Sequence, residues 1–267
     1  MSCTAAAGSR GGRSSRRTPA VDEPVRWLWS VKARGARGTA YRLDATVPAG
    51  GDSRATVTMA DSTRGGGDRA VSTGRESCLK WSRTPAARRA GVIDRAADLL
   101  EQRMAHFIAL LQREGGRTLD DSVSEVREAA DFCRYYAAEG RKLFGSAQAM
   151  PGPTGERNTL QLRGRGVFAA ISPWNFPLAI FMGQVTAALM GGNAVVAKPA
   201  EQTPQIAGEA VRLLHEAGIP DTALHLMQGG GPIGAAHAAH HDIAGVVFDG
   251  STEVARSIKR TLAAQHR

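Results

Sequence analysis

Residues 166–198 read GVFAAISPWNFPLAIFMGQVTAALMGGNAVVAK, and this stretch decides the fold. Gly166–Ile171 is a continuous apolar run of the length typical of a strand buried on both faces. Leu178–Met190 has the length of a helix and ends at two glycines, and Ala194–Ala197 is a second apolar strand. Buried strands separated by a helix indicate a parallel sheet that is covered on both faces.

The same alternation continues towards the C-terminus. It predicts a helix over 203–217, a strand over 223–227, a helix near 234–240, a strand over 245–248 and a helix from 251 towards 264. The fold class is therefore α/β, with a Rossmann-like doubly wound parallel sheet over residues 151–267. In such sheets, ligands bind beyond the carboxyl ends of the strands.

Residues 81–150 are predicted to form two long helices that precede the sheet. The first begins with Thr84 as its N-cap and Pro85 at its first helical position, and it ends at Gly115-Gly116. The second runs from Leu119 to Phe144 on an apolar helical pattern.

Residues 1–80 differ in composition from the rest of the chain. They hold 14 Lys+Arg and 7 Asp+Glu, whereas residues 81–267 hold 20 and 18. Their Arg, Gly, Ser and Ala content predicts disorder, apart from a strand-like run over 25–31. Three interpretations stay open: a solvated tail, a segment read in a shifted frame, or a basic arm that binds nucleic acid through its phosphates. The last is the least favoured, because no aromatic residues are interleaved with the basic ones.

Composition also excludes several classes of protein. No stretch approaches the roughly 18–20 apolar residues of a membrane span. Cys3, Cys78 and Cys133 form no motif, and Cys133 lies in an apolar helical pattern where a buried thiol is expected. The N-terminus lacks the apolar segment of a secretory signal. We therefore expect a cytoplasmic protein with free thiols.

Unusual side chains follow three of the predicted strands. Asn175 lies between two prolines, and an asparagine amide can stabilise an oxyanion. Lys198 and Glu201 could bind ribose hydroxyls, and a carboxylate there favours NAD over NADP. Ser251 follows a glycine turn at a helix start, where a pyrophosphate can bind. Each feature also fits an ordinary turn, surface pair or cap, but their order along one α/β pattern favours dinucleotide binding.

No metal site is predicted. His237, His240 and His241 cluster beside Asp242 on what reads as a polar helix face. A solvated surface fits this cluster better than a metal centre, because no cysteine or further acid of suitable spacing accompanies it.

Three blocks of the sequence resemble the signature blocks of the NAD(P)-dependent aldehyde dehydrogenase superfamily. These blocks are Ile171–Pro177, Ala197–Pro204 and Phe248–Glu253, in matching order and spacing. Together with Asp131–Ala137, they are most similar to delta-1-pyrroline-5-carboxylate dehydrogenases, such as the module of bacterial bifunctional proline utilisation proteins. The resemblance covers about residues 81–264.

The resemblance implies an enzyme, homo-oligomeric in the family, that oxidises L-glutamate gamma-semialdehyde to glutamate with NAD. It implies that Asn175 stabilises the oxyanion, that Lys198 and Glu201 hold the adenosine ribose, and that Ser251 contacts the pyrophosphate. A further set would line the cofactor or the passage from the cofactor to the aldehyde: Ile171, Ser172, Pro173, Trp174, Phe176, Gly229 and Gly250.

The chain departs from the family pattern in three ways. Asp249 stands where the family usually has threonine, which places a carboxylate near the pyrophosphate and predicts weaker cofactor binding. The glycine loop over 229–234 is one residue shorter. The chain ends at Arg267, before the nucleophilic cysteine and general-base glutamate of the family. We therefore expect no turnover by this chain alone. The alternatives are an NAD-binding module without catalysis and a nucleic-acid-binding protein acting through residues 1–80.

Overall fold

The structure is a computed structural model that describes residues 27–31, 41–45 and 62–265. The chain divides into two units, residues 1–58 and 59–267.

In the first unit, β1 (Trp27–Val31) pairs antiparallel with β2 (Tyr41–Ala45). The strand-like run is thus confirmed over 27–31, and β2 is a second strand that the sequence did not predict. The disorder predicted for the other residues before Ser62 lies outside the described residues.

The second unit is built on a four-stranded parallel sheet in the order β7-β6-β5-β8. Its strands are β5 (Val167–Ile171), β6 (Ala194–Lys198), β7 (Leu224–Leu226) and β8 (Ile243–Phe248). The helices between and after them are α5 (Ala179–Met190), α6 (Pro204–Ala217), α7 (Gly231–Ala238) and α8 (Thr252–Gln265). The predicted α/β class and parallel sheet are confirmed, with element ends that move by one to three residues.

Between residues 84 and 150, three helices are present where two were predicted: α2 (Ala86–Gln102), α3 (Met104–Gly115) and α4 (Leu119–Phe144). The bounds of α4 are those predicted. The first predicted helix is divided at Arg103, whose ψ of 20° departs from helical geometry. Thr84 ends the preceding helix and Pro85 is the N-cap of α2, so the predicted cap is shifted by one residue.

Arg89 ties the start of α2 to its neighbours from a buried position. Only 3% of the residue is exposed, and its guanidinium donates to the carbonyl oxygens of Met190 (3.1 Å), Ser82 (3.3 Å) and Thr84. Burial lowers the pKa of Arg89.

Helix α1 (Arg64–Arg83) corrects the prediction that residues 64–80 carry no ordered structure. Its buried face is an apolar stripe at helical spacing: Ala70, Val71, Gly74, Cys78 and Trp81. The run Gly65–Gly67 concealed the helix, because glycine disfavours helices locally. Gly67 is required by packing, since a Cβ there would lie 2.8 Å from Cε1 of His237 on α7.

The two faces of the sheet are covered by different helices. Val167, Ala169 and Val196 pack with residues of α1 in one cluster. Ala170 and Val195 point to the other side, into the larger core formed with α2, α4, α5 and α6. Alternate residues of each strand therefore face opposite layers, as expected of a doubly wound sheet.

Outside these layers, β3 (Gln148–Met150) and β4 (Asn158–Leu160) form an exposed antiparallel pair around the loop 151–157. Among the described residues, no helix combines the length and apolar character that crossing a membrane requires.

Candidate functional site

The carboxyl ends of β5, β6 and β8 lie side by side. Ile171, the last residue of β5, is in register with Lys198 of β6 on one side and with Phe248 of β8 on the other. The three sequence blocks that follow these strands therefore meet at one edge of the sheet. Dinucleotides bind at this edge in doubly wound folds.

Lys198 and Glu201 form an ion pair at this edge. Nζ of Lys198 lies 3.3 Å from Oε2 of Glu201 and donates to the carbonyl oxygen of Pro199 at 3.0 Å. The Lys198 side chain is only 6% exposed, whereas that of Glu201 is 52% exposed. The pKa of Glu201 is lowered by a hydrogen bond from its own backbone N–H and by the adjacent Lys198. A buried cation thus stands beside an ionised carboxylate that is open to solvent.

The loop 172–177 follows β5 and carries both buried and exposed side chains. Ser172 is buried, and its Oγ has no hydrogen-bond partner among the described residues. Pro173 is half-buried, Trp174 is 58% exposed and Asn175 is exposed. The loop therefore presents an indole ring and an amide to solvent at the carboxyl edge of the sheet.

The glycines predicted at the site lie in two further loops. Gly229 follows β7 and Gly250 follows β8, with φ angles of 144° and 155°. Gly234 of α7 lies against the site, because a Cβ there would be 3.5 Å from Cδ of Lys198. Oγ of Ser251 accepts a hydrogen bond from the backbone N–H of Val254 at 3.3 Å, so Ser251 also caps α8.

Two glutamates at the site, the buried Glu125 and the half-buried Glu114, were missed by the sequence analysis. Glu125 of α4 accepts hydrogen bonds from the N–H groups of Leu178 (2.9 Å) and Ala179 (3.3 Å) at the start of α5. Glu114 of α3 accepts from the N–H groups of Gln205 and Ile206 at the start of α6, both at 2.8 Å.

Both carboxylates fill helix N-termini that follow β5 and β6, where an anion would otherwise bind. Burial raises the pKa of both, to about 7 for Glu114, although the N–H donors act in the opposite direction. The sequence held one signal for Glu125, which stands beside Val126 on the apolar face of α4.

The histidine cluster differs from its prediction at one position. His237 is 4% exposed and packs beneath α1, so it is a buried residue and not part of a solvated face. His240, His241 and Asp242 place one ligand atom each within 4.8 Å of one another. Asp242 also pairs with Arg75 at 2.5 Å. The absence of a metal stays a prediction.

Both cysteines among the described residues are free and buried. Burial raises the pKa of the Cys78 thiol and raises that of Cys133 to about 12. Neither thiol has the low pKa and exposure of a nucleophile, as predicted for Cys133.

The chain is similar to aldehyde dehydrogenases over most of its length. The family model described as aldehyde dehydrogenase family matches residues 36–267. This match begins well before Trp81, so it includes part of the segment that the sequence analysis placed outside the resemblance. The family-model match and helix α1 together correct the interpretation that residues 36–80 are unrelated to the family.

Similar individual proteins include a PutA protein and a 1-pyrroline-5-carboxylate dehydrogenase. The bifunctional protein PutA of Rhizobium meliloti is 44% identical over 251 residues, which are 92% of this chain and 19% of that protein. The 1-pyrroline-5-carboxylate dehydrogenase of Geobacillus kaustophilus is 36% identical over 200 residues, 74% of this chain and 39% of that enzyme.

Among solved structures, a variant of Bradyrhizobium japonicum proline utilization A (PutA) is 72% identical with a TM-score of 0.76. The match covers 77% of this chain and 21% of that chain. The chain thus spans about a fifth of the length of the PutA proteins it matches.

Proposed function

Because the chain belongs to the aldehyde dehydrogenase family, we propose that its second unit holds NAD at the carboxyl edge of the sheet. The reaction we propose for the protein is oxidation of L-glutamate gamma-semialdehyde to glutamate, in line with the similarity to 1-pyrroline-5-carboxylate dehydrogenase and to PutA. The observation that carries the cofactor assignment is the Lys198–Glu201 pair, 3.3 Å apart and open to solvent through its carboxylate.

This pair suits the two hydroxyls of a ribose. The ammonium of Lys198 can donate to one hydroxyl oxygen, and the carboxylate of Glu201 can accept from a hydroxyl group. The ionised carboxylate would repel a 2′-phosphate, so we propose NAD rather than NADP. Ser172 supports the fit, because its buried Oγ has no hydrogen-bond partner among the described residues and can bond to a ligand.

The pyrophosphate is proposed to lie at the N-terminus of α8, at Gly250 and Ser251. Glu114 and Glu125 occupy the N-termini of α6 and α5, and their carboxylates would repel a phosphate there. Glu253 lies in the first turn of α8, but among the described residues no carboxylate accepts from the first N–H groups of this helix. Asp249 lies one residue before this turn and is proposed to weaken the interaction.

Asn175 is proposed to stabilise the charge that develops on the aldehyde oxygen during nucleophilic attack. Asn175 is exposed on the loop that follows β5, so its amide can donate to a ligand at this edge of the sheet. NAD, when bound, accepts the hydride that leaves the aldehyde carbon. Cys78 and Cys133 are buried thiols with raised pKa values, so we propose that the described residues contribute cofactor and oxyanion binding and not the nucleophile.

The same observation favours a second candidate, an NAD-binding module that does not turn over aldehyde. We also propose a cytoplasmic location, since the two described cysteines are unpaired. Binding of nucleic acid by residues 1–80 stays a prediction and carries no support from the described residues.

Calorimetric titration of the chain with NAD tests the cofactor assignment. We expect saturable binding that Glu201→Gln weakens about tenfold or more, because a hydrogen bond to a charged group contributes roughly 1.5–3 kcal/mol. NADP should bind more weakly than NAD, and the gap should narrow in this variant. The matched control is Glu216→Gln, which removes a charge that pairs with Arg103 at the far end of α6. Absence of heat at millimolar NAD, or an unchanged Kd in Glu201→Gln, would contradict the proposal.

A further inference from the structure

Arg117 connects the helical layer to the loop that carries Asn175. Its Nη1 donates to the backbone carbonyl oxygen of Asn175 at 2.8 Å. Its Cζ lies 4.5 Å from the centroid of the Phe176 ring, in the geometry of a cation–π contact. Its Nε lies 3.2 Å from Oε2 of Glu125. One guanidinium thus contacts two successive residues of the loop 172–177 and an anion behind it.

The backbone around Arg117 holds this side chain in a fixed place. Gly116 ends α3 in the left-handed region, with a φ of 63°. The backbone N–H of Arg117 donates to the carbonyl oxygen of Leu111 at 3.3 Å, which closes the turn. Thr118 then caps α4 by accepting from the N–H of Asp121. Arg117 therefore stands in a three-residue connection, 116–118, that is anchored on both sides.

Glu125 supplies a rigid base for the guanidinium. Its side chain is 0% exposed, and it also binds the first N–H groups of α5. The loop 172–177 ends where α5 begins. The Glu125 carboxylate therefore binds the backbone just after the loop directly, and it contacts Arg117, which binds Asn175 within the loop. Oε1 of Glu125 accepts from both of these N–H groups, whereas Oε2 makes no hydrogen bond among the described residues and is compensated by the positive charge of Arg117 at 3.2 Å.

We propose that Arg117, anchored by Glu125, is a positioning residue that fixes the loop 172–177 and thereby the direction of the Asn175 amide. This inference rests on the proposed function of the loop in binding cofactor and aldehyde. It assigns to the α3–α4 connection a role in the site, beyond the capping of a helix.

Without the guanidinium, the loop would populate other conformations. NAD would then bind only the fraction of molecules in which the loop is in place, and the apparent Kd would rise by the inverse of that fraction.

The test measures the loop and the cofactor separately in the full chain. The chain is labelled with 5-fluorotryptophan, and the ¹⁹F resonance of Trp174 is assigned with Trp174→Phe. In Arg117→Ala we expect this resonance to narrow and to move towards its position in the unfolded chain, while that of buried Trp81 stays in place. Titration with NAD should give a Kd about five- to tenfold higher than that of the unchanged chain.

Two further variants complete the design. Arg117→Lys keeps a cation beside Glu125 but cannot make the planar contacts to both acceptors, so intermediate values of both readouts are expected. It also serves if Arg117→Ala fails to fold. Arg134→Ala is the matched control. Arg134 of α4 pairs with Glu101 of α2, away from the loop 172–177, so this substitution should change neither the Trp174 resonance nor the Kd for NAD.

An unchanged Trp174 resonance and an unchanged Kd in both Arg117 variants, with only a lower melting temperature, would overturn the proposal and leave a purely structural ion pair. If the unchanged chain does not bind NAD, the proposed function fails, but the ¹⁹F measurement still decides whether Arg117 fixes the loop.

Discussion

Substitution of Glu114 by glutamine should remove a large part of the pH dependence of stability. Glu114 lies in the last turn of α3, and its two carboxylate oxygens accept from Gln205 and Ile206 at the start of α6. Burial raises its pKa from 4.5 to about 7. Between these two pH values, the folded chain therefore binds more protons at this position than the unfolded chain does.

The sign and size of the effect follow from proton linkage. Because the folded pKa is the higher one, the contribution of Glu114 to stability is fully present below pH 4.5 and is lost as the pH rises through 7. A difference of one pKa unit corresponds to about 1.4 kcal/mol. The free energy of unfolding should therefore fall by about 3 kcal/mol from this group between pH 4 and pH 8.

Urea unfolding followed by circular dichroism at pH 5, 6, 7 and 8 measures this dependence. Other groups titrate in the same range, because burial raises the pKa of Glu125 and lowers those of His225 and His237. The informative quantity is therefore the difference between the unchanged chain and Glu114→Gln at each pH. Glu216→Gln is the matched control. Parallel curves for the unchanged chain and Glu114→Gln would refute the reasoning.

Two further predictions concern packing and use the same unfolding assay. Gly67→Ala should cost about 1–3 kcal/mol, because the new Cβ would lie 2.8 Å from Cε1 of His237. Gly91→Ala, whose Cβ would meet no described atom within 4 Å, should stabilise the chain by roughly 0.4–1 kcal/mol. Equal effects of the two substitutions would contradict the packing of α1 on α7. Arg89→Ala should cost about 3 kcal/mol, since it leaves three carbonyl oxygens without their donor. The exposed neighbour Arg88→Ala should change stability by less than about 0.5 kcal/mol, and a comparable loss there would show that the buried hydrogen bonds are not the cause.

The local pattern of the sequence was sufficient for the elements of the sheet. Apolar runs bounded by glycine predicted β5, α5 and β6, and the helical pattern of α4 gave both of its ends. The positions of Asn175, Lys198 and Ser251 after strands also placed them at one edge of the sheet. These features depend on residues within a few positions of one another, and such patterns can be read along the chain.

Only the tertiary structure decided which distant residues complete the site. Glu125 and Leu178 are 53 positions apart, and Arg117 and Asn175 are 58 positions apart, so no local pattern pairs them. Helix α1 was missed for a related reason, because Gly67 disfavours a helix locally and is needed only where α1 meets His237. The sequence by itself thus determined the strands and helices from β5 to α8 and the three loops of the proposed cofactor site. Packing of α3 and α4 against α5 and α6 decided how two of those loops are held, because it brings the carboxylates of Glu125 and Glu114 to the first N–H groups of α5 and α6.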